Sequence, residues 1–552
     1  MEKPVEESAD RPVGKPVVLI AEELSPATVE ALGPDFEVRH CAGADRAELL
    51  AALPAADAVL VRSATRMDAE AIAAGTRLKV IGRAGVGLDN VDVTAASRAG
   101  VMVVNAPTSN IVSAAELTVG LLLAVARNIP QADAALKEGH WQRSRFTGVE
   151  LSGKTLGIVG LGRIGTLVAR RMAPFGMRLI AHDPYVRPGY AEAAGVRVVE
   201  LDELLATSDF LTVHLPKTPE TAGLIGFEAL HRVKPGVRIV NAARGGIVDE
   251  AELYAALKEG RVAGAAVDVF SSEPCTDSPL FELDNVVVTP HLGAGTAEAQ
   301  ERAGVSVAAS VRRALSGRFV PEAVNVRTGT VDEDLDPWLT LTERLSGLFT
   351  ATAGGLPERL RVTVSGEIAR HDTAVLALSA LKGALGGVVE GGISYVNAPL
   401  IAQERGLHAE VTTGPDSPVH RSLVAIEGTL ASGERVSVSG TLSGPRSGER
   451  LVEICGFEVD LSLAADLAFF RAPDRAGVIA EVGEVLGRAG VPIETLQVAR
   501  SAAASGEVLV VVGRSARGQS PRDPGGPSAQ DHLDDAAARI DATRNWSVEQ
   551  SR

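Results

Sequence analysis

The chain has 552 residues, a formal net charge of −16 and only 3% aromatic residues. That balance excludes a nucleic-acid backbone as partner, which calls for clustered basic charge and stacking aromatics. It leaves room for a small phosphorylated ligand, because a few arginines in a cleft set the local field whatever the total charge.

The first 15 residues are polar, lack the apolar core of a leader and read as a disordered tail. The most apolar stretch, Leu117–Ala126, is shorter than the roughly 20 residues that span a bilayer, so no membrane partner is expected. Cys41, Cys275 and Cys455 are far apart and form no CxxC pair; no metal is expected, and a reducing, cytoplasmic setting is.

From Lys15 onward, short apolar runs alternate with helical stretches. VVLIAEE, DAVLVRS, LKVIGRAG and VMVVNAP read as four strands of a parallel sheet. Thr108–Asn128 reads as a long helix capped by Thr108 or Ser109. KTLGIVGLGRIG opens a second α/β unit, continued by MRLIAHDP, DFLTVHLP, RIVNAARGG, VAGAAVDVF and NVVVTPHLG, the rhythm of a doubly wound sheet. A helix returns over Thr296–Leu315, and Val320–Val326 leads out of this half. Residues 327–465 mix helices with the strands LRVTVSGEI, SLVAIEGTL and RVSVSGTL, an α+β pattern. From about residue 466, strand, turn, helix and strand suggest a ferredoxin-like βαββαβ module, with a Gly/Pro/Ser-rich flexible loop at 513–532. The expected architecture is two Rossmann-like doubly wound domains, 15–107 completed by 299–326 and 108–298, then an α+β domain at 327–465 and a small module at 466–552.

Gly160-Leu-Gly162-Arg-Ile-Gly165 follows the apolar run TLGIV and opens a helix; Asp183 ends the next strand 18 positions after Gly165. A lone GxGxxG is weak, but strand, glycines, helix, strand and acid in that order point to a dinucleotide. Gly160 makes the tight turn, Gly162 lets the backbone approach a pyrophosphate, and Gly165 lets the helix pack on the strand. Asp183 suits the ribose hydroxyls of NAD and repels the 2′-phosphate of NADP. Arg163 softens that rejection, or contacts the pyrophosphate.

Hydride transfer from a hydroxyl carbon also needs a base, a cation for the carboxylate and forming carbonyl, and an acid to tune the base. Arg244 in NAARGGIVDE, Glu273 in VDVFSSEP and His291 in VTPHLGAG stand in that order at strand ends, where open α/β sheets bind ligands. His182 and His214 read instead as structural.

These stretches, over Gly157–Gly293, resemble the D-isomer-specific 2-hydroxyacid dehydrogenases. The resemblance implies that Arg244 binds substrate carboxylate and carbonyl, that His291 is the general acid/base and that Glu273 raises its basicity. It implies NAD contacts from Arg163, Ile164, Asp183, Ala242, Ala243, Arg244, Asp268, His291, Leu292, Gly293 and Ala294, with Asp268 near the nicotinamide carboxamide. Gly295 departs from the serine usual there in phosphoglycerate-specific members. LVRSATRMD, GRAGVGLDNVD and NAPTSNIVSAAE resemble that phosphoglycerate branch. By that resemblance Arg62, Ser63 and Asn110 contact substrate, the Gly85–Val86 backbone binds its carboxylate, Arg62 and Arg66 face the phosphate, and Arg143 and Arg145 reach a neighbouring subunit.

PWLTLTERLSGLF, SYVNAPLIAQERG and SPVHRS resemble the inserted regulatory domain of that branch's long form, and the last segment resembles an ACT domain. A homotetramer is implied. The ACT ligand pattern is incomplete: Ala472 replaces the expected Tyr and Pro492 the expected Asn, although Asp474 remains. Other hydroxy acids (2-hydroxyglutarate, glyoxylate, hydroxypyruvate) and a non-catalytic NAD-sensing regulator stay open as alternatives.

Overall fold

The four apolar runs of the N-terminal part become strands because each is too short for a helix and buries both faces. In the computed structural model, which describes residues 14–326, 331–389, 392–414, 416–417, 419–444, 448–463, 466–488, 493–500, 506–514 and 544–548, these are β1 (Val17–Ile20), β3 (Ala58–Val61), β4 (Val80–Arg83) and β5 (Met102–Asn105). A further strand, β2 (Glu37–His40), is mostly exposed; its sequence EVRH carries no apolar signal, which is why the sequence reading passes over it. The sheet is parallel, in the order β2-β1-β3-β4-β5.

The second unit is a seven-stranded parallel sheet of β6 (Thr155–Val159), β7 (Arg178–His182), β8 (Arg197–Val198), β9 (Phe210–Val213), β10 (Val237–Asn241), β11 (Val262–Val267) and β12 (Val286–Val288). Its order, β12-β11-β10-β9-β6-β7-β8, reverses between β6 and β9. This is the doubly wound pattern, whose crevice at the reversal receives dinucleotides.

The expected helix at 108–128 runs over Ile111–Arg127, and neither Thr108 nor Ser109 caps it. Asn110 stands at the N-cap without a side-chain bond, and the Ser109 hydroxyl donates back to the Ala106 carbonyl at 2.9 Å. The helix buries Ala115, Leu121, Leu122 and Ala126 in the core of the second sheet. No single helix among the described residues is long and apolar enough to cross a membrane; this one and Ile129–Lys137 qualify only as a pair bent by 64°. The helix Ala297–Leu315 returns to the first sheet, where Val307 and Val311 join its core. Asn325 then seals β5, accepting from the Val103 N–H at 2.9 Å and donating to the Val101 carbonyl at 2.9 Å.

A six-stranded mixed sheet follows: β13 (Arg359–Gly366), β14 (His408–Thr413), β15 (Ser422–Thr429), β16 (Arg435–Ser443), β17 (Gly448–Ile454) and β18 (Phe457–Ser462). Only β13 and β14 pair in parallel. The last sheet has β19 (Asp466–Pro473), β20 (Thr495–Arg500), β21 (Glu507–Arg514) and β22 (Arg544–Val548) in the antiparallel order β20-β21-β19-β22. That is the ferredoxin-like order, with the helix Val478–Arg488 between its first two strands. The expected loop at 513–532 is corrected at its start, since Gly513 and Arg514 end β21 in register with Leu467 and Asp466; the rest of that loop, like the tail at 1–13, lies outside the described residues.

Candidate active site

The glycine loop after β6 has the form a pyrophosphate needs. Gly160 has φ 94°, a conformation that favours glycine. A Cβ at Gly165 would lie 2.2 Å from the Gly160 carbonyl oxygen, so only glycine lets the helix close on the strand. A Cβ at Gly162 would meet nothing within 4 Å, leaving open space beside the N-terminus of the helix Arg163–Met172. No side chain caps that terminus, so its first N–H groups, on Arg163 and Ile164 among others, are available to an anion. Asp183, at the end of β7, accepts from the Leu161 N–H at 2.8 Å and the Tyr185 N–H at 2.9 Å, which ties it to the same loop.

An Asp183→Ala variant is expected to narrow the ratio of NAD to NADP use by about tenfold or more, losing a charge-assisted hydrogen bond with NAD and the repulsion of a 2′-phosphate. Initial rates with both dinucleotides measure it; a wild-type chain that already prefers NADP is the opposite result.

Histidines fall into two groups. Burial pushes His214 down to about 4, so it is neutral near pH 7, and its Nε2 lies 3.1 Å from the Thr212 hydroxyl. His182 Nδ1 faces the Val199 carbonyl at 3.2 Å. Both rings are thus tied to neighbouring groups of the fold. His291 is different: its Nδ1 sits 2.6 Å from Glu273 Oε2, its Nε2 bonds to no described residue, and its side chain is 43% exposed. It is reached from the end of β12 by a loop in which His291 itself has φ 54°.

Asp268 holds that loop. It is fully buried beyond β11, and its carboxylate accepts from the Thr289 hydroxyl at 2.6 Å, the Leu292 N–H at 2.7 Å and the Gly293 N–H at 3.0 Å. Burial raises its proton affinity above the usual carboxylate range against the pull of those donors. Resemblance alone puts Asp268 beside the nicotinamide; its bracing of the His291 loop has no signal in the sequence. Ala294 follows in the same loop, and the Gly295 N–H donates to the Leu292 carbonyl at 2.7 Å.

Arg244 is set by its neighbours. Asn241, at the end of β10, accepts from the Ala243 N–H and donates to the Arg244 carbonyl, both at 3.1 Å. This folds Ala242 and Ala243 into a tight turn, and Arg244 Nη1 donates to the Ala243 carbonyl at 2.8 Å. A Cβ at Gly245 would lie 1.8 Å from the Phe270 carbonyl oxygen, so this glycine lets the Arg244 loop press on the loop leading to Glu273. Glu273 Oε1 in turn accepts from the Phe270 N–H at 2.9 Å.

The first sheet meets this group across a cleft. A Cβ at Gly87 would stand 3.0 Å from both Arg244 Nη2 and Asp89 Oδ2, which puts the loop after β4 against the loop after β10. Arg62 and Ser63 follow β3; their turn is braced by Glu22, which accepts from the N–H groups of Arg62, Ala64 and Thr65, and by Asn90, which donates to the carbonyls of Arg62 and Thr65. Asn110 follows β5. In the expected carboxylate cradle the Gly85 N–H already donates to the Arg83 carbonyl at 2.8 Å, across a turn centred on Ala84. The Val86 N–H donates to no described residue. Arg66 belongs to the surface, 81% exposed and 3.8 Å from Asp68, and Arg145 pairs within the chain with Asp284 at 2.6 Å. Arg83, at the end of β4, was not singled out from the sequence; burial and then the Arg244 guanidinium lower its proton affinity, with a further contribution from Arg62.

Residues 119–293 match the model of the D-isomer specific 2-hydroxyacid dehydrogenase NAD binding domain, and residues 334–455 that of the D-3-phosphoglycerate dehydrogenase intervening domain. The D-3-phosphoglycerate dehydrogenase of Mycobacterium tuberculosis is 55% identical over 496 residues, 90% of this chain and 94% of that one. This chain belongs to the D-3-phosphoglycerate dehydrogenase family. A more distant D-3-phosphoglycerate dehydrogenase, from Methanocaldococcus jannaschii, is 40% identical over 90% of this chain and 94% of its own length. Among solved structures, the NAD-dependent formate dehydrogenase of Staphylococcus aureus in complex with NAD is similar with a TM-score of 0.50 and 33% identity, covering 57% of this chain and 99% of that one. These D-3-phosphoglycerate dehydrogenases thus align over 90% of the chain, while that neighbour accounts for little more than half. The matched NAD-binding domain and the open cradle at Gly162 make NAD the cofactor.

Proposed function

We propose that this chain oxidises 3-phospho-D-glycerate to 3-phosphohydroxypyruvate with NAD, the first step of L-serine biosynthesis. The observation that carries the reading is the near full-length similarity to D-3-phosphoglycerate dehydrogenases, in a chain whose His291–Glu273 pair shares a cleft with Arg244. When bound, NAD supplies the hydride acceptor. His291 Nε2 takes the hydroxyl proton as the C–H bond breaks, and Glu273 holds Nδ1–H and stabilises the imidazolium. Arg244 binds the carboxylate and polarises the forming carbonyl. Arg62 faces the phosphate; Ser63, Asn110 and the amide of Val86 complete the substrate contacts. Gly160, Gly162, Arg163, Ile164, Gly165 and Asp183 hold the dinucleotide, with Ala242, Ala243, Asp268 and His291–Ala294 along its nicotinamide end.

Following NADH absorbance with 3-phospho-D-glycerate, D-glycerate, 2-hydroxyglutarate and glyoxylate tests this. A clear preference for the phosphorylated acid is expected, and equal turnover of D-glycerate overturns it.

The proposed division is a substrate-binding domain at 15–107 completed by 299–326, an NAD-binding domain at 108–298, an intervening regulatory domain at 327–465 and an ACT domain at 466–552. A cytoplasmic homotetramer fits the reading. Ile129, Leu136 and Trp141 are exposed at 53%, 55% and 77%, an apolar strip suited to a second copy.

Serine is expected to inhibit weakly or not at all. Asp474, the remaining ligand residue, accepts from Arg500 Nε at 2.8 Å and so already has a cation. Ala472 is buried and has no hydroxyl; Pro492 lies outside the described residues. Two lost polar contacts at about 1–3 kcal/mol each weaken binding by about 10- to 10⁴-fold. A serine titration of the forward reaction measures this, and inhibition at micromolar serine is the contrary result.

A further inference from the structure

We propose that Arg83 is a specificity-determining residue that recognises the phosphate charge of the substrate, as the third member of an arginine cluster with Arg62 and Arg244. The proposal rests on the functional reading above and deepens it.

Arg83 ends β4, the strand that sits between β3 and β5 in the first sheet. Its position at the carboxyl end of a central strand sends it toward the cleft, where open α/β sheets bind ligands. Space for it is built in. A Cβ at Gly85 would stand 1.6 Å from Arg83 Nη1 and 2.7 Å from its Cζ, so the guanidinium occupies the volume that any other residue at 85 would fill. The backbone turn is closed by the Gly85 N–H on the Arg83 carbonyl at 2.8 Å, which fixes the two residues against each other.

Among the described residues the cation so placed has no hydrogen-bonded or ion-paired side chain. Arg83 Nε is sealed from solvent and donates to nothing, although buried polar groups are normally paired. No carboxylate stands within ion-pair distance of Arg62, Arg83 or Arg244 among the described residues, while 28 other pairs do form. Two acids act on Arg83 as opposite charges, Asp89 first and Glu22 second, and Glu22 spends both carboxylate oxygens on backbone N–H groups of the Arg62 turn. Arg244 and Arg62 act on Arg83 as like charges. Like charges crowded in a partly buried cleft with no carboxylate at ion-pair distance are unfavourable on their own and favourable around a multiply charged anion. A phosphorylated hydroxy acid brings a carboxylate and a phosphate of about −1.5 to −2 charge. Arg244 answers the carboxylate end. Arg62 and Arg83 are left for the phosphate, whose oxygens match the guanidinium fork.

The test is steady-state kinetics of the full-length chain and of Arg83→Gln and Arg83→Lys, with 3-phospho-D-glycerate and D-glycerate. The Gln variant is expected to lose about 10–100-fold in kcat/KM for the phosphorylated acid, mostly in KM, and less than about threefold for D-glycerate; the Lys variant regains part of the loss. NADH affinity is expected to stay unchanged in both. Equal losses for the two acids, or no loss for either, overturn the proposal. The functional reading fails separately, by a wild-type chain that does not discriminate between the acids. Should the variants not fold, inorganic sulfate at constant ionic strength is titrated into the wild-type chain. Competition with 3-phospho-D-glycerate, and a higher melting temperature than in chloride, supports the arginine cluster as a divalent-anion site; absence of both overturns it.

Discussion

His291→Asn is expected to lower kcat by about 10²–10⁴-fold while NADH binds within a few-fold of the wild-type affinity. The ring is the proton acceptor in the proposed reaction, and an amide in its place cannot take a proton near neutral pH. Asparagine is a better replacement than alanine here. The residue has φ 54°, and asparagine tolerates that left-handed conformation better than other side chains with a Cβ. The backbone bonds of residue 291, from its N–H to the Asp268 carbonyl at 2.8 Å and the Thr289 carbonyl at 3.1 Å, do not depend on the ring. The loop therefore stays, and the loss reads out chemistry. Rapid-mixing turnover with a parallel NADH fluorescence titration separates the two effects. Unchanged turnover removes His291 as the base.

Gly245→Ala is expected to cost about 10²-fold or more in kcat/KM although alanine adds a single methyl group. Its Cβ would lie 1.8 Å from the oxygen and 2.0 Å from the carbon of the Phe270 carbonyl, and 2.5 Å from the Ser271 nitrogen. All three are backbone atoms, so no side chain can swing away and the two loops must part. The Arg244 loop lies on one side of the contact. On the other, the Phe270 N–H holds Glu273 Oε1, and Glu273 holds His291. Parting the loops moves the carboxylate-binding cation away from the base. A displacement of about 1 Å at a reacting centre costs on the order of 10²-fold. Kinetics with 3-phospho-D-glycerate, set beside a thermal melt to show that the chain is folded, checks it; a folded variant of wild-type activity means the loops are free to adjust.

Both expectations show how unevenly the site is written along the chain. The residues proposed as cation, tuning acid and base, Arg244, Glu273 and His291, are visible in the sequence because each is a chemically distinct residue at the end of an apolar run. The side chains that place them do not. Asn241 and Asp268 look like ordinary polar residues after a strand, and only the hydrogen bonds of Asp268 to Thr289, Leu292 and Gly293 reveal it as the anchor of the His291 loop. Arg83 was hidden in the same way: in GRAGVGLDNVD it is one charge in a glycine-rich turn, and its company of Arg62 and Arg244 comes from strands distant in sequence.

The strands divide along a similar line. Those buried on both faces, such as β1, β3, β9 and β10, were legible as continuous apolar runs. The edge strand β2 was not, because one exposed side of a sheet asks nothing apolar of the residues that form it. The glycine fingerprint followed by Asp183 pointed to a dinucleotide by local chemistry alone, for a phosphate at a helix N-terminus needs only a turn, a helix and an acid within one βαβ unit. The substrate end depends on a cleft between two sheets. Its charge arises where loops after β3, β4 and β10 converge, and that convergence is a property of the packed layers, which no stretch of residues carries by itself.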